Sequence, residues 1–191
     1  MTRGEWHAAL PVAADLAAEI RRAVGAEPPH GPPALTGLVA ELAGVNLRQW
    51  DLEDTTRDTR AGDGAVAEAN RAIDRLNLNR HRLVHEIDVA IGDTLEPSPT
   101  AVLATESPAM VLDRLSVLVI RRTRTAEASA HDRAYADRLP ALDAQLAALV
   151  GALDTYLAEL RAGTRRFFVH DPLKLYVAPA DLTRGDGNRP G

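Results

Sequence analysis

The sequence predicts an all-α protein, a single-domain antiparallel bundle of about five helices with a short irregular C-terminal tail. Apolar residues recur at steps of three and four over most of the chain, which is the helical period. Prolines and glycines concentrate in a few breaks, and we find no alternating pattern that would build a sheet. Long helical segments joined by short or moderate loops favour an antiparallel bundle.

The expected domain covers all 191 residues, of which 46% are hydrophobic, enough for a sizeable core. We expect an N-terminal helix and Pro-rich loop (1–33), a core bundle (34–163) and a tail (164–191). The expected helices are about Gly4–Val24, Ala34–Arg57, Ala65–Ile91, a fourth that starts at Pro108, and Asp132–Ala162.

Several local signals mark the ends of these helices. Pro11 implies a kink in the first helix or a later start. Ser107 fits an N-cap followed by Pro108 in the first turn, and Gly163 fits the C-terminal end of the fifth helix. Polar residues 121–132 either continue the fourth helix or break it. A short strand-like run, Arg166–His170, opens the tail.

Composition and charge exclude several classes of function. The chain has no cysteine, which rules out disulfides, thiolate metal sites and cysteine nucleophiles. A net charge of −5 argues against nucleic-acid binding, and the arginine runs at 121–124 and 165–166 are typical of solvated helix ends. No apolar stretch reaches the length of a membrane span and no signal peptide is evident, so we expect a cytoplasmic protein.

The third helix places a charge inside its apolar stripe. Ile73, Leu76, Leu83 and Ile87 have helical spacing, and Arg80 stands at the centre of that line. A fully buried arginine is costly unless it is paired. Polar residues line the neighbouring face of the helix: Asp74, Asn77, His81, His85 and Asp88.

Two other helices carry charge at positions that packing helices usually fill with leucine. The second helix has a polar face formed by Asn46, Trp50, Glu53 and Arg57, with Asp54 adjacent. Glu53 can pair with Arg57 at i,i+4. On the fourth helix, Asp113 and Arg114 interrupt an apolar run.

These charges have two interpretations. They could form buried ion pairs that fix the helix register, or they could converge on a polar pocket. In a pocket, arginines would bind sulfate, phosphate or carboxylate, and Glu53, Asp54, Glu86 or Asp88 could accept a proton from an amine or alcohol.

A metal site is the less favoured interpretation. The Glu-x-x-His pair of di-metal bundles is missing, and the segment from His81 to His85 lacks the glutamate of His-Glu-x-x-His. The nearby arginines would repel a cation. We therefore expect no metal and no other cofactor, and the roles of His81 and His85 stay open.

Four segments resemble the bacterial family known as domain of unknown function 4254. The likeness extends over roughly residues 35–177, with matching order and spacing. The chain departs from the family after Lys174-x-Tyr176, where Val177-Ala178 replaces the usual Asn-Asp. The segments are QWDLEDTTRD (49–58), IDRLNLNRHRLVHEID (73–88), ESPAMVLDRLSVL (106–118) and AGTRRFFVHDPLKLY (162–176).

This resemblance implies a helical fold and a role in bacterial biosynthetic clusters. A more distant resemblance is to the two-subunit proteins that close aziridine rings in azinomycin-type pathways by expelling sulfate. That chemistry needs a carboxylate to keep an amine unprotonated and arginines to hold the leaving sulfate.

The leading hypothesis is therefore an enzyme, or an enzyme subunit, of bacterial specialised metabolism. It would act on a small anionic, amine-bearing substrate, with C–N ring closure and sulfate elimination as one possible reaction. We expect a second protein subunit or a homodimer, and the rival hypothesis is a non-catalytic helical partner of another biosynthetic enzyme. The expected catalytic bases are Glu53, Asp54 and Glu86, and the expected substrate-binding residues are Trp50, Arg57, Asn77, Arg80, Asp113, Arg114, Lys174 and Tyr176.

Overall fold

The computed structural model describes residues 12–25 and 35–169, and these residues confirm an all-α fold. Five long helices and one four-residue helix account for nearly all regular structure. In chain order the elements are α1 (Ala13–Val24), α2 (Leu35–Arg57), α3 (Asp63–Gly92), β1 (Val102–Leu103), α4 (Pro108–Ser129), α5 (Arg133–Ala136), α6 (Leu139–Arg161) and β2 (Arg165–Arg166).

The bundle is organised around α2 and α4. Helix α2 packs against α1, α3 and α4, while α4 contacts α1, α2, α3 and α6. The interior between them is aliphatic, as the 4% aromatic content implies. The largest fully buried side chains are Leu16, Ile20, Leu42, Leu83, Ile87, Ile91, Leu112, Leu115, Ile120, Leu153, Leu157 and Leu160.

Two expected helix boundaries change in the structure. The expected fifth helix over 132–162 is wrong as one element, because it splits into α5 and α6. Pro140 lies in the first turn of α6, where a missing N–H is tolerated, whereas inside a helix its ring would clash with the preceding turn. Polar residues 121–129 continue α4 to Ser129. The part of the expected first helix before residue 12 lies outside the described residues.

Both cap signals are confirmed. The Ser107 hydroxyl accepts a hydrogen bond from the backbone N–H of Met110, and Pro108 occupies the first turn of α4. Gly163 has φ of 69°, the left-handed conformation that favours glycine. Its N–H bonds to the Leu160 carbonyl and the Thr164 N–H bonds to the Glu159 carbonyl, which together form a Schellman ending for α6.

β2 follows this ending and forms a small parallel strand pair with β1, whereas the sequence predicts no sheet. β1 pairs with β2 in the register Val102↔Arg165 and Leu103↔Arg166. The strand-like run predicted at 166–170 begins one residue later than β2. The Schellman turn explains the pairing, because it reverses the chain against the segment that precedes α4.

Within the described residues, no helix has the length and continuous apolar character needed to cross a bilayer.

Candidate functional site

The structure pairs Arg80 of α3 with Asp113 of α4. The Arg80 Nε donates to Asp113 Oδ1 at 2.8 Å, and Nη2 binds Oδ2, so the guanidinium forks onto the carboxylate. This hydrogen-bonded carboxylate raises the pKa of Arg80. The arginine has the partner that its place in the apolar stripe requires, and its side chain keeps 34% of its surface exposed. The long, flexible stem lets the charged end reach partly into water.

The Asp113 carboxylate is held from a third helix as well. Asn46 of α2 donates from Nδ2 to Asp113 Oδ1 at 2.8 Å and to the Ser116 hydroxyl at 2.5 Å. The Ser116 hydroxyl donates to the Asp113 backbone carbonyl at 2.8 Å. Asn46, Asp113 and Ser116 are all buried. This network joins α2, α3 and α4. Both oxygens of the Asp113 carboxylate accept hydrogen bonds from within the chain.

Other expected site residues lie at the exposed end of α2. Arg57 Nη2 binds Glu53 Oε2 at 2.9 Å, which confirms the i,i+4 pair, and Arg57 Nη1 is 3.9 Å from Asp54 Oδ1. The side chains of Arg57 and Asp54 are 70% and 65% exposed. Trp50 is half-buried one turn earlier. The contacts of Glu53 and Asp54 therefore join them to Arg57 and not to the Arg80–Asp113 pair.

Glu86 belongs to a separate group of ion pairs, which Arg82 of α3 forms with Glu86 and with Glu41 of α2. Arg82 Nη1 lies 2.6 and 2.7 Å from the two Glu86 oxygens, and Arg82 Nη2 reaches Glu41 of α2 at 3.1 Å. Asp88, two residues beyond Glu86, is fully buried and accepts the Ala109 N–H at 3.0 Å, in the first turn of α4. The expected bases and arginines thus fall into separate clusters, so the contacts do not assemble the single pocket foreseen from the sequence.

The remaining expected residues divide between the protein surface and the undescribed tail. Arg114 binds Glu106, which lies just before the N-cap of α4. Asn77 is half-buried on α3. Lys174 and Tyr176 lie outside the described residues, so their predicted roles stay predictions.

The Arg114–Glu106 pair adjoins an open groove between the start of α4, the second half of α6 and the segment that joins β1 to α4. Its volume is about 460 Å³. Apolar residues from all three elements contribute to its lining, together with two carboxylates, two threonines, a phenol and a guanidinium. The lining residues are Leu103, Ala104, Thr105, Glu106, Val111, Ala152, Thr155, Tyr156, Glu159 and Arg165.

Each wall of the groove carries one carboxylate bound to one arginine. Glu106 binds Arg114 on the α4 side, and Glu159 Oε2 accepts a hydrogen bond of 2.8 Å from Arg165 Nε on the α6 side. The hydrogen bond to Glu159 raises the pKa of Arg165. All four side chains are between 33% and 53% exposed, so both pairs are accessible to a solute.

Tyr156 of α6 connects the two walls. Its hydroxyl donates to the backbone carbonyl of Glu106 at 2.8 Å. Burial, and then the negative charge of Asp88, raise the pKa of Tyr156 to about 12. The phenol is protonated at physiological pH, as it would be at its ordinary pKa of 10.0, and it remains a hydrogen-bond donor.

Residues 36–169 match the family described as a protein of unknown function (DUF4254). This match covers more than two thirds of the sequence. The chain belongs to this family. No curated protein and no solved structure matches the chain significantly.

The DUF4254 region runs from the start of α2 to just beyond β2, so it contains both the Arg80–Asp113 network and the groove. It leaves out α1. Glu106 and Arg165 fall within the segments that carry the family resemblance, and that signal could have drawn attention to them. Tyr156 and Glu159 stand among the leucines of α6 and have no comparable signal, so sequence reasoning missed them.

Residues 12–25 and 35–169 contain no group of three or more histidines, aspartates or glutamates arranged to hold an ion.

Proposed function

We propose that this protein is an enzyme, or the subunit of an enzyme, of bacterial specialised metabolism that acts on a small metabolite carrying an amine and an anionic group. The metabolite would bind in the groove between α4 and α6. The observation that carries this proposal is that each wall of the partly apolar groove presents a glutamate bound to an arginine. Glu106, Glu159 and Arg165 line the groove, and Arg114 stands beside it through its pair with Glu106.

Such pairs suit a zwitterionic ligand because the glutamate and the arginine can each exchange the other for a charged group of the ligand. Partly exposed ion pairs contribute only about 0–1 kcal/mol of stability each, so a ligand can replace them at low cost. An arginine released from its glutamate would bind a sulfate, phosphate or carboxylate through two parallel N–H donors. The glutamate left behind would bind the ammonium group of the same ligand.

Ring closure with loss of sulfate is one reaction that this arrangement could support. The amine nitrogen would attack a carbon that bears a sulfate ester, so that a C–N bond forms as the C–O bond breaks. Glu106 or Glu159 would accept the ammonium proton, and Arg114 or Arg165 would hold the departing sulfate. The step needs neither an oxidant nor a cofactor, since its only products are the protonated ring, sulfate and the proton that the glutamate accepts.

A direct test uses 2-aminoethyl hydrogen sulfate, the simplest probe with both groups. We expect its addition to ¹⁵N-labelled protein to shift amide signals of residues 103–106, 111, 152–159 and 165, while ethanolamine and inorganic sulfate shift them less. Glu106→Gln should weaken binding of the probe about tenfold, because an amide of the same shape cannot pair with an ammonium group. Glu127→Gln on the exposed end of α4 is the matched control.

Release of inorganic sulfate from the same probe tests the reaction itself. Ion chromatography would detect sulfate, and proton NMR would detect the three-membered amine ring. Saturating binding without sulfate release would contradict ring closure but leave the ligand site in place. Shifts that arise equally with ethanolamine, or a probe affinity that is unchanged in Glu106→Gln, would contradict the groove as the site.

A second candidate function is a non-catalytic partner of another biosynthetic protein. The observation that favours it is a set of exposed apolar side chains close to the groove, on β1, the first turn of α4 and the segment after β2. These residues are Val102, Leu103, Met110, Phe168 and Val169.

Light scattering and co-purification from the native host would separate the two candidates. If the protein binds another chain through this surface, Leu103→Asp should abolish the association without changing the helical circular dichroism signal. Association that tolerates Leu103→Asp would remove the support that these side chains give to the partner role.

A further inference from the structure

We propose that Tyr156 is a positioning residue that sets the width of the groove and so selects the length of ligand that it accepts. This inference rests on the groove being the ligand site proposed above. It comes from the hydrogen bond that crosses the groove, from the Tyr156 hydroxyl on α6 to the carbonyl of Glu106.

The contact joins two walls that belong to distant parts of the chain. Glu106 lies between β1 and the N-cap residue Ser107, and Tyr156 lies in the second half of α6. The segment around Glu106 is held on the other sides by the bond from Ala104 N–H to the Arg166 carbonyl and by the Ser107 cap. The hydrogen bond from Tyr156 fixes the distance between this segment and the opposite wall, which is formed by α6.

This distance also governs the separation of the two charged pairs. Glu106 carries the first pair, with Arg114, and Glu159 lies one helical turn after Tyr156 on α6, where it binds Arg165. A ligand that spans the groove must place its ammonium and its anion to match these two pairs. Loss of the phenolic hydroxyl would free the Glu106 backbone to move away from α6.

Tyr156 does not act on the reacting atoms in this proposal. Its hydroxyl is engaged as the donor to a backbone carbonyl. It would act through Glu106, so its removal should change which ligand fits more than it changes the fold.

The test compares two probes of different length, 2-aminoethyl and 3-aminopropyl hydrogen sulfate, by NMR titration of the wild type and Tyr156→Phe. We expect the variant to lose about fivefold in affinity for the shorter probe, the worth of one ordinary hydrogen bond, and to lose less for the longer one. The ratio of the two affinities is the decisive readout, because a general loss of stability would not change it. Tyr135→Phe, which removes the same hydroxyl from an exposed tyrosine on α5, should leave the ratio unchanged.

An unchanged ratio in Tyr156→Phe would overturn the proposal while leaving the ligand site intact. If the wild type binds neither probe, the proposed function fails, and the side-chain Nε–H signal of Arg114 then decides whether Tyr156 positions Glu106. That signal, assigned with Arg114→Lys, should move in Tyr156→Phe and in Glu106→Gln, but not in Tyr135→Phe. A signal that stays in place in Tyr156→Phe would overturn the positioning role.

Discussion

Asp113 and Arg114 are neighbours in the sequence but engage opposite surroundings from α4. Asp113 is buried and binds Arg80 and Asn46, whereas Arg114 is exposed and binds Glu106 beside the groove. The internal contacts fix the rotation and the axial position of α4 against α2 and α3. Because the two residues share one backbone, those contacts also determine where Arg114 stands.

Loss of the Asp113 carboxylate should destabilise the fold. Asp113→Ala leaves the Arg80 guanidinium without its carboxylate and removes one of the two acceptors of the buried Asn46 amide. We expect this to lower the free energy of unfolding by about 2 kcal/mol. The loss stays below that of a fully buried pair because water reaches part of Arg80. Urea unfolding followed by circular dichroism measures it. Arg57→Ala, which breaks an exposed pair, should change stability by at most about 0.5 kcal/mol.

Glu53 offers a test of whether the ligand binds at the site predicted from the sequence or in the groove. Its carboxylate binds the exposed Arg57 of the same helix. We expect Glu53→Gln to leave both probe binding and the free energy of unfolding unchanged within about 0.5 kcal/mol. Loss of binding or turnover in Glu53→Gln, with an unchanged melting temperature, would restore Glu53 as the base and move the site to α2.

The helices and their caps could be predicted because they depend on local signals. The apolar period, Ser107-Pro108 and Gly163 each act within one or two turns, and the structure bears them out. The spacing along α3 likewise predicts that Arg80 needs a charged partner, because it places the arginine within an apolar stripe. Its partner could not be fixed, since spacing along α3 does not determine which carboxylate of α2 or α4 faces it.

The groove could not be predicted because it arises from tertiary structure. Tyr156 and Glu159 come to face Glu106 only after the Schellman turn and the β1–β2 pairing bring the end of α6 to the segment before α4. The pattern of α6 alone is dominated by its buried leucines.

Gly163 provides a test of that turn. An added Cβ would lie 3.1 Å from the Glu96 carbonyl oxygen, and the positive φ would be strained for any other residue. We expect Gly163→Ala to cost about 1–2 kcal/mol of stability. Gly151→Ala, at an open position on the same helix, should instead stabilise the protein by about 0.5–1 kcal/mol. Thermal unfolding of both variants gives the comparison, and equal shifts of the melting temperature would argue against the turn.

Tyr156 should make stability depend on alkaline pH. Its pKa of about 12 in the folded protein exceeds the ordinary value of 10.0, so folding favours the protonated phenol. The resulting stabilisation is complete below pH 10.0 and is lost as the pH rises towards about 12. The slope in this window is at most about 1.4 kcal/mol per pH unit, and solvent reaching the half-buried ring reduces it.

Urea unfolding at several pH values between 9 and 12 would show the effect. The loss of stability with rising pH should be shallower in Tyr156→Phe than in the wild type, and Tyr135→Phe should follow the wild type. Parallel curves for the wild type and Tyr156→Phe would show that the phenol is not held in its protonated form.

The pairing of β1 with β2 bears on when the groove comes into being. Val102 and Arg165 are about 60 residues apart, so the chain must close a long loop before they meet, which costs more entropy than any contact within the α2–α3 hairpin. During synthesis, Arg165 emerges only after the bundle helices have been made. The α2–α3 hairpin can therefore form early from local contacts, whereas the groove is completed only when the last part of the described chain has left the ribosome.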